Sequence, residues 1–392
     1  MVKKLSSLAF LILAISLASC NKDGVDIEYQ YYPKSDYDLI SNHLDLPEYP
    51  LDYTTDFPNY YTRPSIQFDN DMATLGRVLF YDINLSKNKE ISCASCHKQN
   101  LAFADDVAFS EGVNGKLTDR NSLALGAVFN FSEYYGPGRV PFFWDNRVST
   151  VEEQSEQTFK NDKEMDMEMH EVLAEVQQIP YYVPLFKAAF KETNSMTEDN
   201  VLTAISEFVN SIASVNSRYD DGLIALFSEE GHLGSVGTKD FANFTPQENI
   251  GKSLYINNCA VCHGEINGAP NLLFANNGLD LETNEEDDKG LGGITYNSEE
   301  MGTFKVPTLR NISLTGPFMH DGRFETLEDV LNHYSSNIQA HPNLSWQLRN
   351  NNQPKKFNFS TEDKAALLAF FDTFVDDELA VDERFSDPFI QR

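Results

Sequence analysis

Two short segments contain four of the five cysteines, and each segment ends in a histidine. They read Cys93-Ala94-Ser95-Cys96-His97 and Cys259-Ala260-Val261-Cys262-His263. In such a C-x-x-C-H segment the two thiols can add across the vinyl groups of a haem, while the histidine supplies a nitrogen to the iron. The repeated motif therefore predicts two covalently bound c-type haems, with His97 and His263 as the proximal ligands.

Two other uses of these cysteines are a zinc site and a thiol–disulfide redox pair. A zinc site would bring both pairs together, but the pairs lie far apart, at 93–96 and 259–262, and each has its own histidine. A redox pair is typical of a βαβ pattern, which is absent around both motifs. Haem attachment remains the favoured interpretation.

The residues after the first motif indicate what the first haem can bind. Residues 98–119 contain neither His nor Met, so the distal face of this iron is expected to be open to peroxide or oxygen. Cleavage of the peroxide bond also requires a nearby carboxylate that moves a proton. Candidate carboxylates follow Trp144, in the stretch that ends at Met165.

Several spaced motifs around both cysteine pairs carry a resemblance to a known family. Arg-Asn-Ser at 120–122 is followed by Phe-Phe-Trp-Asp-Asn-Arg at 142–147, and the second half contains Phe-Lys-Val-Pro-Thr-Leu-Arg-Asn at 304–311 and Leu-Thr-Gly-Pro-Phe-Met-His-Asp-Gly at 314–322. In this order they resemble the bacterial di-haem cytochrome c peroxidase family, which includes the MauG enzymes. The resemblance covers roughly residues 65–375.

The resemblance implies roles for individual residues. It implies that Glu164 is the distal acid and base, that Gln154 is the glutamine of the peroxide pocket, and that Trp144 lies between the two haems. It also implies a structural calcium ion held by the Asn121 side chain and the carbonyl oxygens of Thr315 and Pro317, which are donors suited to a hard cation. Taken alone, Trp144 would more often be a core residue and Glu164 a solvated helix residue.

Two positions around the first haem depart from the family pattern. Members that need reductive activation carry a distal histidine in the loop after the first motif, where this chain has Val113. Valine cannot bind iron, so we expect a five-coordinate first haem that accepts peroxide even when both irons are ferric. Thr158 stands where the family usually has proline, so the resemblance does not predict the detailed shape of the pocket.

The sixth ligand of the second iron has two candidates. The position of the family's axial methionine falls on Tyr334, and the MauG enzymes have tyrosine there. A phenolate is a hard anionic donor that lowers the reduction potential relative to methionine. Met319 is the alternative, although its position usually holds an aromatic residue that is not a ligand. Tyr334 is the favoured ligand.

Helical periodicity dominates the elements that must position these residues. Apolar residues at helical spacing or clear start signals predict helices from about Asn70, over Met165–Gln178, Pro184–Lys191 and Asn200–Asn216, from Thr245-Pro246 into Cys259, and over Thr326–Ser336 and Thr361–Val375. Strand signals are few. The predicted fold is mostly α, with two cytochrome c-like haem domains that each contain one C-x-x-C-H site.

The chain divides into four predicted segments. Residues 1–19 resemble a lipoprotein signal peptide, and 20–62 read as a tether that drapes partly over the body. Residues 63–235 form the peroxidatic haem domain and 236–392 the electron-transfer haem domain. Cleavage before Cys20 and its lipidation would anchor an exported, periplasmic protein to the cell membrane or the outer membrane. An ordinary secretory signal is the alternative.

The net charge of the chain limits the kinds of partner that it is expected to bind. The chain has 30 basic and 60 acidic residues, a formal net charge of −30, which argues against nucleic-acid binding and suits a cationic partner. The predicted function is reduction of H2O2 to water with electrons that a small c-type cytochrome delivers to the C-terminal haem. The alternatives are a MauG-like oxidase of a protein substrate and a di-haem electron carrier without peroxidase activity.

Overall fold

The computed structural model describes residues 31–390, except 62–64, 127, 130–140, 192–193 and 267. The predicted signal peptide and Cys20 lie outside these residues. Within them the protein is mostly helical, as predicted, and no helix has the length and apolar character needed to cross a membrane.

In the described part of the chain, the longer helices carry the two largest hydrophobic cores, and the strands form three short antiparallel pairs. The helices of eight or more residues span Lys34–Ser41, Asn70–Tyr81, Val151–Lys160, Met169–Gln178, Tyr182–Phe190, Glu198–Ser211, Arg218–Glu230, Pro246–Asn258 and Thr361–Phe371. Shorter ones span Cys93–Cys96, Ala260–His263, Leu291–Thr295 and Leu327–Asn332. The strand pairs are Thr55–Asp56 with Ser65–Ile66, Phe274–Ala275 with Phe304–Lys305, and Arg349–Asn350 with Gln353–Pro354.

One helix in each half leads toward a cysteine motif and packs closely on a later helix. In the first half, Asn70–Tyr81 packs on Glu198–Ser211, and a Cβ added at Gly76 would lie 1.9 Å from the Ala204 carbonyl oxygen. In the second half, Pro246–Asn258 packs on Thr361–Phe371, and a Cβ at Gly251 would lie 2.0 Å from the oxygen of Ala366. The same close helix crossing therefore supports both motifs.

Local signals explain where these helices begin. Thr245 and Glu248 form a capping box with proline at the first helical position, so the helix starts where the sequence predicted. Asp69 caps the helix that starts at Asn70, since its side chain accepts a hydrogen bond from the Met72 amide. The helix predicted over Met165–Gln178 begins only at Met169, where Glu168 and Glu171 form the capping box.

The described part of the predicted tether, residues 31–61, packs on the folded body. Ile40, Leu44 and Tyr53 are buried in the first core, and the Tyr60 hydroxyl donates to Asp220 at 2.6 Å in the second half. The segment has weak periodicity because it reaches the core through single apolar residues rather than through a continuous helical face.

The helix Arg218–Glu230 precedes the predicted boundary at 235/236, yet it buries Tyr219, Leu223 and Leu226 in the second core. Gly231, at φ +73°, ends this helix. Leu379 and Phe385, near the end of the chain, are buried in the first core. The boundary between the two haem domains stays a prediction.

Candidate haem centres

A single helical turn presents the first pair of cysteines. Ser92 and Ser95 form a capping box that fixes the turn Cys93–Cys96, and His97 follows as its last residue. The turn places both sulfurs and the imidazole within one short, rigid element, as covalent haem attachment requires.

The hydrogen bonds of His97 leave the iron-binding nitrogen available. Its Nδ1 lies 2.8 Å from the Phe103 carbonyl oxygen, which can only accept, so Nδ1 carries the proton and Nε2 is free. Burial lowers the pKa of His97 and favours the neutral ring that binds metals.

The second motif repeats this arrangement. The Nδ1 atom of His263 lies 3.0 Å from the Pro307 carbonyl oxygen, and burial lowers the pKa of His263. A largely apolar cavity of about 210 Å³ adjoins the motif and is lined by Cys259, Cys262, His263 and by side chains that include Phe304, Leu348, Phe357 and Phe371. An apolar cavity beside two thiols and a correctly oriented imidazole fits a c-type haem.

Glu164 lies beside the first motif. Burial raises the pKa of Cys93 to about 12 and that of Cys96 to about 11, and in both cases the negative charge of Glu164 adds to the increase. Burial also raises the pKa of Glu164, while hydrogen bonds from the Thr158 and Asn161 side chains act in the opposite direction. The Asn161 amide donates to Glu164 Oε1 at 2.7 Å.

Val113 packs directly against the segment that carries Glu164. Its amide donates to the Glu164 carbonyl oxygen at 3.0 Å, and its side chain is fully buried. The preceding residue must be glycine, because a Cβ at Gly112 would lie 2.0 Å from the Lys163 carbonyl oxygen. The residue that replaces the family's distal histidine therefore adjoins the predicted proton-transfer residue.

Gln154 and Thr158 are one turn apart on the helix Val151–Lys160, so their side chains lie on the same face. Gln154 is half-buried, and within the described parts of the chain its side-chain amide has no hydrogen bond. Through Thr158 this face contacts Glu164.

Trp144 lies between the two motifs. It is buried, lines the cavity of the second motif, and donates from Nε1 to the Asn121 carbonyl oxygen at 2.8 Å. The next residue, Ser122, donates to the Cys96 carbonyl oxygen at 2.8 Å and lies 3.3 Å from Nδ1 of His97. Two hydrogen bonds, joined through the peptide unit between Asn121 and Ser122, therefore link Trp144 to the first motif.

Tyr334 and Met319, the two candidates for the sixth ligand, line the same cavity as His263. Burial raises the pKa of Tyr334 to about 12. The amide nitrogen of Asn277 lies 3.3 Å from the Met319 sulfur and 3.5 Å from the Tyr334 hydroxyl. Asn277 lies in a loop that matches none of the motifs, so the sequence alone does not mark it as a functional residue.

Asn121, Thr315 and Pro317, the predicted calcium ligands, also line this cavity. The Asn121 amide nitrogen donates to the Val107 carbonyl oxygen at 3.1 Å, so Oδ1 is the atom that remains for a cation. Over the described ranges, no three or more His, Cys, Asp or Glu side chains are arranged to hold a metal ion. The calcium ion stays a prediction.

A second feature missed in the sequence joins the two halves beside Trp144. Arg120 binds Asp145 at 2.6 Å and Asp288 at 2.7 Å, and Arg147 also binds Asp145, at 2.9 Å. Arg120 and Asp145 both belong to the quoted motifs, which was the available signal. Their pairing partner Asp288 lies in an acidic loop without a motif.

Comparison with known proteins agrees with this geometry. The sequence profile of di-haem cytochrome c peroxidases matches residues 70–224. The cytochrome c551 peroxidase of Nitrosomonas europaea is 31% identical over 264 residues, which are 67% of this chain and 72% of that protein. The methylamine utilization protein MauG of Methylorubrum extorquens is 28% identical over 318 residues, covering 79% of this chain and 80% of that protein.

Solved structures give the same result. A MauG-like protein associated with microbial copper homeostasis is 30% identical to this chain, with a TM-score of 0.72. The superposition covers 85% of this chain and 98% of that one. The di-haem peroxidase BthA of Burkholderia thailandensis is 21% identical with a TM-score of 0.63 over 84% and 94% of the two chains, and supports the fold alone. The chain is an oxidoreductase that belongs to the di-haem cytochrome c peroxidase family.

Proposed function

We propose that the protein reduces H2O2 to water at the first haem site, with electrons that a small redox protein delivers through the second. The observation that carries this proposal is the position of Glu164. A partly buried carboxyl group lies beside Cys93 and Cys96, and the adjoining Val113 cannot bind iron.

A c-type haem held by Cys93, Cys96 and His97 would supply the iron that binds peroxide and passes electrons to it. Glu164 takes a proton from the bound peroxide as a carboxylate and returns it to the departing oxygen, which leaves as water. The net reaction consumes two electrons and two protons and releases two water molecules. Gln154 presents its amide to the peroxide from the same helix face as Thr158.

Electrons reach the first site past Trp144, which lies between the motifs and contacts the cavity of the second. Tyr334 would supply a phenolate oxygen to the second iron. Asn121, Thr315 and Pro317 would supply oxygen donors to a calcium ion. Export by the leader and lipidation of Cys20 place the reaction in the periplasm, at a membrane surface.

A second candidate is an oxidase that draws its electrons from side chains of a protein substrate. Tyr334 in the second cavity favours it, because a phenolate ligand stabilises the oxidised forms of iron. The relatives named MauG are methylamine utilization proteins, which is consistent with this candidate. Turnover of peroxide with a reduced c-type cytochrome supports the peroxidase, whereas peroxide consumption that needs a protein substrate supports the oxidase.

The deciding experiment adds one equivalent of H2O2 to the diferric holoprotein and records the optical spectrum with stopped-flow mixing. We expect a rapid spectral change that Glu164→Gln slows by about 10²- to 10⁴-fold, the usual contribution of a general acid–base group. Glu156→Gln is the matched control, since its side chain is 41% exposed and pairs with Lys160 on the surface. A wild-type spectrum that peroxide leaves unchanged would contradict the proposal.

A further inference from the structure

The side chain of Asn277 contacts both candidate sixth ligands of the second haem. Its amide nitrogen lies 3.3 Å from the sulfur of Met319 and 3.5 Å from the hydroxyl oxygen of Tyr334. The distance to Met319 is ordinary for a sulfur acceptor, whereas the distance to Tyr334 is at the long end of the range for an N–H···O hydrogen bond. One donor therefore serves two side chains that face the same cavity.

The backbone around Asn277 is fixed on both sides. Its carbonyl oxygen accepts from Nε2 of His333 at 3.0 Å, and His333 is the neighbour of Tyr334. Gly278 follows at φ +69°, and its amide donates to the Asn276 side chain at 2.9 Å. The backbone of Asn277 is therefore held in place relative to the turn that carries Tyr334.

Met319 is held in an uncommon backbone conformation. Its φ is +78°, in the left-handed region that side-chain-bearing residues rarely adopt. A hydrogen bond of 2.8 Å from the Phe318 amide to the Phe324 carbonyl oxygen closes the surrounding loop. The loop thus keeps the sulfur in the cavity beside Tyr334.

The two side chains differ in ligand chemistry. A phenolate oxygen is a hard anionic donor that favours ferric iron, whereas a thioether is a soft neutral donor that favours ferrous iron. The ligand that binds the second iron therefore affects which oxidation state of that iron is stabilised, and the Asn277 amide contacts both candidates. An N–H group that donates to an anionic oxygen also withdraws electron density from it and weakens its donation to a metal.

We propose that Asn277 is a positioning residue for the sixth ligand of the second haem, whose amide donates to the Tyr334 oxygen, would weaken the donation of that oxygen to the iron, and keeps Met319 within reach as an alternative ligand. This inference rests on the proposed function in one respect, that Tyr334 is the sixth ligand. It is independent of peroxide chemistry at the first haem.

The first test measures the reduction potential and the ligand-to-iron charge-transfer bands of the second haem in the holoprotein. Asn277→Leu removes the donor at similar volume, so we expect a lower potential and a charge-transfer band at longer wavelength. Asn277→Gln keeps an amide donor and should restore part of both shifts. Asn337→Leu, at an exposed position three residues after Tyr334, should leave both unchanged. A wild-type potential and spectrum in Asn277→Leu overturn the proposal.

The second test removes the preferred ligand and leaves Asn277 intact. In Tyr334→Phe we expect the Met319 sulfur to bind, with a higher potential and a thioether-type spectrum, and the added change Met319→Leu should then leave the second haem five-coordinate. A five-coordinate haem in Tyr334→Phe alone overturns the role of Met319. Because these readouts belong to the second haem, they hold even where the protein fails to react with peroxide.

Discussion

At the scale of single residues, two opposing effects act on Glu164. Burial raises its pKa, and the hydrogen bonds from Thr158 and Asn161 lower it. Because burial is the larger effect, the pKa lies above the usual value of 4.5, and the carboxylate is lost as the pH falls through that raised value. A proton acceptor must be deprotonated, so the rate of the peroxide reaction should fall at acidic pH.

This balance gives a prediction for Thr158→Val, which removes one hydrogen-bond donor at constant volume. A hydrogen bond to a charged group contributes about 1.5 kcal/mol, or about one pKa unit, in favour of the carboxylate. The midpoint of the pH–rate profile should therefore move to higher pH by about one unit. Thr158→Ser retains the hydroxyl and serves as the control, and an unmoved midpoint in Thr158→Val would exclude the hydrogen bond as the cause.

Val113 gives a second prediction at this scale. Val113→His places an imidazole beside Glu164, at the position of the family's distal histidine, so the first iron should become six-coordinate. We expect a low-spin ferric spectrum and a peroxide reaction that is at least about tenfold slower until one electron is added. Val113→Leu, which cannot bind iron, is the control. A high-spin spectrum in Val113→His would show that the loop cannot reach the iron.

Residue types and spacing predict the haem attachment sites, and the family resemblance singles out Glu164 among the carboxylates after Trp144. Neither could reveal Asn277, because its importance comes only from the approach of three segments, at 277, 319 and 334, that are separated in sequence. The pairing of Arg120 with Asp288 was hidden for the same reason.

At the scale of elements, Gly76 and Gly251 let two helices approach closely in each half. Added methyl groups would lie 1.9 Å and 2.0 Å from carbonyl oxygens of the facing helices, which leaves no room without moving backbone. The two helices lead toward the two cysteine motifs, so separating them would also displace the haem-binding turns. The sequence predicted these helices from their periodicity, but not the identity of their partners.

Gly251→Ala should therefore destabilise the holoprotein by about 2 kcal/mol or more, the usual effect of overpacking a close contact. Urea unfolding followed at a haem band and by circular dichroism measures the change in the free energy of unfolding. Gly234→Ala is the matched control, since its nearest contact would be an ordinary 3.4 Å to the His232 ring. Equal stability of the two variants would mean that the helices can separate at little cost.

At the scale of the whole molecule, the terminal segments join the two halves. The Tyr60 hydroxyl reaches Asp220, which forms a buried ion pair of 2.6 Å with Arg310. After the last long helix, the chain returns to the first core, where Phe385 is buried and the Arg77 side chain donates to the Ser386 carbonyl oxygen at 2.6 Å. Neither crossing has a periodic signal, so the sequence did not predict these contacts between the two halves.

The charge of the molecule gives the last prediction. A net charge of −30 attracts a cationic electron donor at long range. Salt screens this attraction, because the Debye length is only about 10 Å at 0.1 M ionic strength. The second-order rate constant with a lysine-rich c-type cytochrome should fall about tenfold or more between low salt and 0.5 M, because electrostatic steering raises association rates by about 10- to 10³-fold. An acidic cytochrome of similar potential is the control, and its slower reaction should accelerate with salt. Equal salt dependence for both donors would mean that the acidic surface does not direct electron entry, and that a local contact at the second haem selects the donor instead.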